Sequence, residues 1–394
     1  MRIPTVEPTI ISAPPGHTAR STARAARIAL LLAIIITLVV PAPSRAQGTL
    51  GERYTPEFNA TVWSLAYQPG NQKILVGGDF TELDGSPVGH LVRLDDSGVD
   101  TTFRGTVNGS VLALAVQSDG KILVGGSFTR AGAGSVDRHG LVRLASDGTV
   151  DATFAPVLTL GTGEDPTVTR ILVQADGAII VGGRFDHVNG TSRNFIGRLN
   201  ANGTLDTMFA KNNPLLDAVG ALCTIGNGDV VAGCRASVLR FGVSDPLAQV
   251  MTTVTAQQEA VVEALAPQGD GLLVAGRFSS IGSIQRAGIA RVTAGGLVDV
   301  TYDPRIVSGS YDRVLSIATT TDGPTVVGGL FTTPGPVSRR NLVALDAKGA
   351  MTGWSPNPNG AVMAVLRLDS GRLIVAGEFT EIAGTARGRL AFFD

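Results

Sequence analysis

The chain is 394 residues long, 44% apolar and 16% charged, with 50 glycines, 20 prolines and a net charge of −1. That apolar share excludes a disordered tail protein, and the near-neutral balance excludes the basic footprint that nucleic acid or an anionic membrane surface requires. So many glycines beside so few charges suit an all-β chain with many tight turns.

The first 46 residues read as an export signal. Arg20, Arg24 and Arg27 precede a largely apolar stretch at 28–40, and Ser44 and Ala46 supply the small-x-small pattern of a cleavage site after Ala46. The stretch is shorter than the about 20 residues that span a bilayer, so no membrane insertion is expected after cleavage. Five basic residues and one acidic residue leave with it, and 47–394 carries a net charge of −5.

From there to the C-terminus one unit recurs, starting at Val62, Val111, Val168, Val219, Val261, Val314 and Val362, at intervals of 42 to 57 residues. Each unit opens with an apolar strand a, as in Val111-Leu-Ala-Leu-Ala-Val-Gln. An Asp-Gly-type turn follows, and then strand b, Ile122-Leu-Val-Gly-Gly, with a phenylalanine two residues on. The turns at Asp119-Gly120, Asp176-Gly177, Asn227-Gly228, Asp270-Gly271, Asp322-Gly323 and Ser370-Gly371 are read as two-residue hairpins. Strand c is Leu91-Val-Arg-Leu94 and its copies. Strand d is a Gly-Thr-Leu/Val-Asp segment closing on an aromatic, as at 148–154 and 203–209.

Four hairpin-linked strands per unit predict a β-propeller blade. The last unit stops at strand c, Leu390 to Phe393, while residues 48–54 match strand d in their Gly-Thr-Leu and closing aromatic. The expected fold is therefore an all-β, seven-bladed propeller of four-stranded antiparallel blades. One domain would cover 47–394, its ring closed by the N-terminal strand pairing with the last blade, which leaves no free sheet edge at the seam.

The unit resembles the delta-60-repeat β-propeller family in its Asp-Gly-Lys-Ile-Leu-Val-Gly-Gly-x-Phe, Leu-x-Arg-Leu and Gly-x-x-Asp-x-x-Phe segments, and more loosely resembles kelch repeats in its Gly-Gly. The resemblance covers residues 48–394 and implies a secreted or surface bacterial propeller. The fourth unit departs from it, with Cys234 and Arg235 in place of the second Gly and its follower.

Most repeated residues read as scaffold. The Gly-Gly pairs end a strand and open no helix, so they are no phosphate loop, and the phenylalanine after them fills the gap between blades. Asp100, Asp151, Asp206 and Asp299 in strand d lack the dense oxygen loop of a calcium site. Arg93, Arg143, Arg198, Arg240 and Arg291 lie within strand c. A second set, Arg138, Arg193, Arg286, Arg339 and Arg387, precedes strand c in the b–c loops, at the rim of one face. That set is assigned either to anionic ligands or to strand-d acids and carbonyls.

Function in a ring should break its symmetry. The d–a connections lengthen at 156–167, 211–218 and 304–313, and 241–260 is an insertion beside the shortened fourth unit. These loops share a face with the b–c loops and bring Glu164, Asp165, Asp217, Glu259 and Asp312 to it. That face is the expected binding surface.

Cys223 and Cys234 are read as facing the same side of the fourth hairpin, either bridged or as two buried thiols. His90, His139 and His187 fall on three different units, and no metal or cofactor is expected. No nucleophile elbow, zinc-protease or Cys-His signature occurs. The chain is thus expected to be a monomeric, exported binding or scaffold module for a glycan or protein. The alternative is a polysaccharide hydrolase or lyase using two of the loop acids.

Overall fold

The computed structural model describes residues 49–394 except 52–53, 212–216, 227, 243–247, 258, 321–322 and 336–337, so the expected signal peptide lies outside the described residues. Every element assigned among them is a strand, and no helix is long and apolar enough to cross a membrane.

Each of the seven repeats forms a sheet around one antiparallel a–b–c unit. Strand a is Val62–Gln68, Val111–Val116, Thr167–Val173, Ala221–Thr224, Val261–Gln268, Arg313–Ala318 and Val362–Arg367. Strands b and c pair in register beside it, Ile122–Gly126 against Leu141–Leu144 being one example. Each hydrophobic core is shared by neighbouring repeats: Leu123, Leu141 and Phe154 of the second repeat pack with Val168 and Phe185 of the third. The first repeat's Phe58, Val62 and Phe80 pack with Ile374, Leu390 and Phe392 of the last. A strand buried on both faces in this way needs apolar residues at every position, which is why strand b reads Ile-Leu-Val without alternation.

The two glycines closing strand b are tightly packed for different reasons. A Cβ on the first would meet the valine that opens the next repeat, Gly125 against Val168 Cγ1 at 2.7 Å and Gly233 against Val262 Cγ1 at 2.3 Å. This contact corrects the start of the fifth repeat. Val262, fully buried, is the equivalent of Val111, not the half-buried Val261. A Cβ on the second glycine would meet a backbone carbonyl, Ser110 O at 1.9 Å for Gly126 and Ala361 O at 2.0 Å for Gly377. The residue after the pair donates to that same carbonyl, Ser127 N to Ser110 O at 3.0 Å. In the fourth repeat the a–b ladder ends at Ala221 and Gly233, which leaves room for Cys234. The phenylalanines Phe80, Phe128, Phe185, Phe278, Phe331 and Phe379 are all buried between repeats.

In the second, third, fourth and seventh repeats the a–b turn differs from the two-residue expectation, whereas the fifth closes on two residues, Gly269-Asp270, between paired Gln268 and Gly271. Gly120 N donates to Gln117 O at 2.9 Å and Gln117 N to Lys121 O at 2.9 Å, which closes a three-residue loop. Only Gly120, at φ 83°, takes the left-handed conformation there, so the aspartate before it needs no positive φ. The same loop in the fourth repeat pairs Cys223 with Val231, not Ala232. A one-residue slip flips a side chain to the other face. Cys223 accordingly packs in the core with Val231 and Val262, while Cys234 packs on the opposite face with Ala232 and Leu239.

Both cysteines are free and buried. Burial pushes the Cys223 thiol up to about 12 and raises that of Cys234 as well. A thiol reagent should find almost no reactive group in the native protein and two after unfolding without reductant; fewer than two would mean a bridge forms.

Strand d is also corrected. In the second, third, fifth and sixth repeats it makes a single bridge to strand c, such as Leu144 to Val150 and Leu199 to Leu205. In the second, third and fifth of these the aspartate that follows turns the chain away. Asp151 N donates to Arg143 O at 2.9 Å, and its carboxylate accepts from Thr153 N and Oγ1 at 3.0 and 2.6 Å. The other carboxylate oxygen takes the strand-c arginine: Arg93 to Asp100 at 2.7 Å, Arg143 to Asp151 at 2.9 Å, Arg291 to Asp299 at 2.7 Å. Each of these guanidiniums lies 4.4 to 4.7 Å over the closing aromatic, Phe103, Phe154 or Tyr302. Each then reaches a carbonyl in the c–d turn of the next repeat, as Arg291 does to Ala347 O at 3.1 Å. Arg93, Arg143 and Arg291 of strand c therefore clasp neighbouring repeats, and it is they, not the loop arginines, that hold the strand-d acids Asp100, Asp151 and Asp299.

At the chain ends, Leu50 bridges Phe393, with Gly51 N to Phe392 O at 2.8 Å and Asp394 N to Thr49 O at 3.0 Å.

Candidate functional site

The inserted d–a connection of the third repeat is held in shape by that repeat's b–c loop. Leu158–Thr159 pairs with His187–Val188, Asn189 Oδ1 accepts from Val157 N at 2.8 Å, and Asp186 Oδ2 accepts from Gly161 N at 2.7 Å. The His187 ring and the Gly161 N–H hold the Asp186 carboxyl below its usual range. Between this insertion and the second repeat's b–c loop lies a pocket of about 420 Å³, on the face the loop insertions predicted. Its lining combines Pro156, Val157, Leu158 and Leu160 with Arg138, Glu164 and Asp165. Glu164 is ion-paired with Arg184, and Asp165 lies 2.7 Å from His139 Nδ1. These pairs tie the loop down from both sides.

The other loop acids are elsewhere on the same face. Asp217 and Glu259 converge on Arg235, Asp217 at 3.5 Å, and Glu259 also reaches Arg277 at 3.8 Å. Asp312 turns inward on its own loop and accepts from Ser308 N and Gly309 N at 3.0 and 2.8 Å. It lines a separate hollow of about 200 Å³. Glu164 and Asp165 thus share one pocket, Asp217 and Glu259 share one guanidinium, and Asp312 joins neither group.

Four of the five loop arginines bind main chain. Buried Arg193 donates to Thr207 O at 2.6 Å, and buried Arg286 to Tyr302 O and Val300 O at 2.9 and 2.8 Å. Arg138 donates to Asp137 O at 2.8 Å, Arg387 to Ala386 O and Gly51 O at 2.8 and 3.2 Å, and the Arg339 guanidinium has Nε and one terminal nitrogen buried without a partner. His139 and His187 each pair with a different aspartate, and no group of three metal-ligating side chains occurs among the described residues.

Two cavities were not anticipated. The larger of the two, about 1030 Å³, lies on the opposite face among the a–b and c–d turns of the fifth to seventh repeats, with Arg291, Asp346, Arg367 and Asp369 on its walls. The other, about 260 Å³, is lined by strand a or its flank in all seven repeats, from Trp63 to Val365. It contains Arg170 and Glu263, whose carboxylate meets Arg313 at 3.3 Å. Burial raises the Glu263 carboxyl above its ordinary value against the opposing pull of Arg313, Arg170 and Arg277, and it depresses the Arg170 guanidinium. A signal for this pair was present in the sequence. At the second position after the opening valine six repeats carry Ser or Ala and the third carries Arg170.

An all-β chain of sheet-forming repeats that pack side by side, with loops gathered at the strand ends, defines a β-propeller. Four segments, 71–103, 117–154, 174–209 and 268–302, match the family model described as "Domain of unknown function (DUF5122) beta-propeller", a propeller repeat of the delta-60 type in general. No curated protein matches the chain in sequence. Among solved structures it is similar to the WD40 β-propeller domain of Doa1, with TM-score 0.53 and 14% identity over 88% of this chain and 97% of that one. It is similar also to the computationally designed Ika8 protein, with TM-score 0.51 and 12% identity over 88% and 99%. A third likeness is to the extracellular domain of BT4673 from B. thetaiotaomicron, described as a hybrid two component system, with TM-score 0.54 and 11% identity over 88% of this chain. This chain spans 40% of that protein's length. Identities this low carry the fold alone.

Proposed function

We propose that this protein is an exported, seven-bladed propeller that works as a non-catalytic binding module and takes a segment of a partner protein into the pocket between the second and third repeats. The ring reading is supported by the bridge from Leu50 to Phe393, by the core shared between first and last repeats, and by the inner cavity to which all seven repeats contribute. Export rests on the N-terminal signal pattern.

One observation carries the binding reading: a 420 Å³ pocket with an aliphatic floor, a charged rim and pre-formed walls, built by one of the lengthened d–a connections. Val157 is 57% exposed there, an apolar side chain offered to solvent. The lining holds no Phe, Tyr or Trp to stack on a sugar ring, which favours an aliphatic peptide side chain over a glycan. The hydrolase alternative has less to stand on, because Asp217 and Glu259 are brought together by a guanidinium and the remaining loop acids have partners of their own.

The test is capture of exported proteins from the source culture by the wild type and by Val157→Asp, beside a glycan array. Capture of one defined protein that falls at least about tenfold in the variant, at unchanged melting temperature, supports the reading. Equal capture by both forms, or binding on the glycan array alone, overturns it.

A further inference from the structure

The inner cavity departs from sevenfold repetition at two neighbouring positions. Two residues after each buried valine stand Ser64, Ala113, Ala221, Ala264, Ser316 and Ala364, but Arg170 in the third repeat. One position earlier the residue varies, as Trp63, Leu112, Thr169, Gly220, Leu315 and Met363, and the fifth repeat alone places a charge there, Glu263. Repetition explains small residues where inner strands converge. It does not explain a guanidinium there, because an ion taken from water costs several kcal/mol (~) unless it is paired.

Arg170 is incompletely satisfied. It donates to Thr169 O at 2.7 Å and to Glu263 O at 3.3 Å, both of them main-chain carbonyls, and an arginine has five N–H groups to place. The Glu263 carboxylate is engaged by Arg313 through Oε1, while Oε2 is buried with no hydrogen-bond partner. Trp63 Nε1 and Ser64 Oγ, lining the same cavity, are also buried without partners. Orphaned donors and an orphaned acceptor around one small space call for a molecule that answers both. The side-chain exposure falls from 39% at Arg313 to 15% at Glu263, which gives the space a charged approach.

We propose that this cavity binds a small organic acid that also carries a hydrogen-bond donor, its carboxylate on the Arg170 guanidinium and its hydroxyl or ammonium group on Glu263 Oε2. A guanidinium matches a carboxylate in planar, two-point fashion, and a desolvated carboxylate is a strong acceptor. The volume, about 260 Å³, limits the occupant to a monomer such as a sugar acid or an amino acid. This site is separate from the pocket at Val157, so the two proposals stand or fall independently.

Titration calorimetry of the purified protein with D-galacturonate and with L-serine tests it, the first arm reading a hydroxy acid and the second an amino acid. D-galactose, which lacks the carboxylate, and acetate, which lacks the donor, are the controls. Saturable binding of either acid is expected, at least about tenfold tighter than both controls and weakened at least about tenfold by Glu263→Gln and by Arg170→Gln. Glu263→Gln keeps the side-chain shape, so it remains informative if Arg170→Gln does not fold. Val157→Asp should bind the acid as the wild type does. No saturable binding of either acid, equal binding of galactose, or wild-type affinity in Glu263→Gln would overturn the proposal.

Discussion

Gly126→Ala is expected to unfold the protein or to lower its stability by at least about 3 kcal/mol, the upper end of what overpacking costs, whereas Gly125→Ala should cost about 1 kcal/mol. The two glycines are adjacent and both buried, so composition and burial do not separate them. What separates them is the atom each new methyl would meet. At Gly126 it is the Ser110 carbonyl oxygen at 1.9 Å, part of a ladder that also holds Ser127 N, and it has nowhere to go. At Gly125 the methyl meets the tips of Val168 and Ile171, which can shift, and the fifth and seventh repeats already carry alanine at this position, as Ala275 and Ala376. Denaturant unfolding of the two variants checks the difference. Equal losses would mean that the carbonyl contact does not set the requirement.

Breaking the Arg93–Asp100 clasp should cost about 3–5 kcal/mol, the range for removing one member of a buried pair. Arg93 and Asp100 side chains are only 5% and 4% exposed, and Asp100 serves Lys73, Thr102 and Arg93 together. Asp100→Ala therefore leaves a buried guanidinium uncompensated between the first and second repeats. The same clasps make the protein acid-sensitive. Burial pushes the Asp100 and Asp151 carboxyls up, but hydrogen bonds from lysine, threonine and arginine outweigh it and hold both well below the usual range. The Thr301 hydroxyl and Arg291 hold Asp299 at about 2. A carboxylate depressed in the folded state contributes stability above its unfolded pKa of about 3.9, and that stability is lost as the pH falls through the folded value. Melting temperature should thus be flat above about pH 5 and drop steeply from about pH 4 toward pH 2, with a shallower drop in Asp100→Asn. A drop of the same steepness in that variant would count against the clasp as its source.

The sites were less legible than the scaffold. Glu164, Asp165 and the 156–167 insertion stand out in the sequence because they interrupt a repeat, and they line a pocket. Arg170 interrupts it just as plainly, but within a strand, where a single substitution leaves the spacing intact. The loop arginines misled for the opposite reason. Recurrence at a fixed offset tells that a role is shared, without telling whether the partner is a side chain, a carbonyl or a ligand. The cysteines failed on one residue of register, because a turn sequence with Asp-Gly is compatible with two-residue and three-residue loops of opposite consequence for facing.

The sequence by itself determined that this protein is a series of β-sheet units, where each a, b and c strand runs, and which residues are buried between them. Those properties follow from local alternation, turn glycines and a period, all of which are written along one dimension. Only the tertiary structure decided that Arg143 and its copies, not the loop set, hold the strand-d acids, that Cys223 and Cys234 lie on opposite faces, and that Arg170 and Glu263 meet inside one cavity. Each of these depends on which atoms of distant repeats are brought within a few ångströms, and hydrogen bonds and ion pairs weaken steeply beyond that reach.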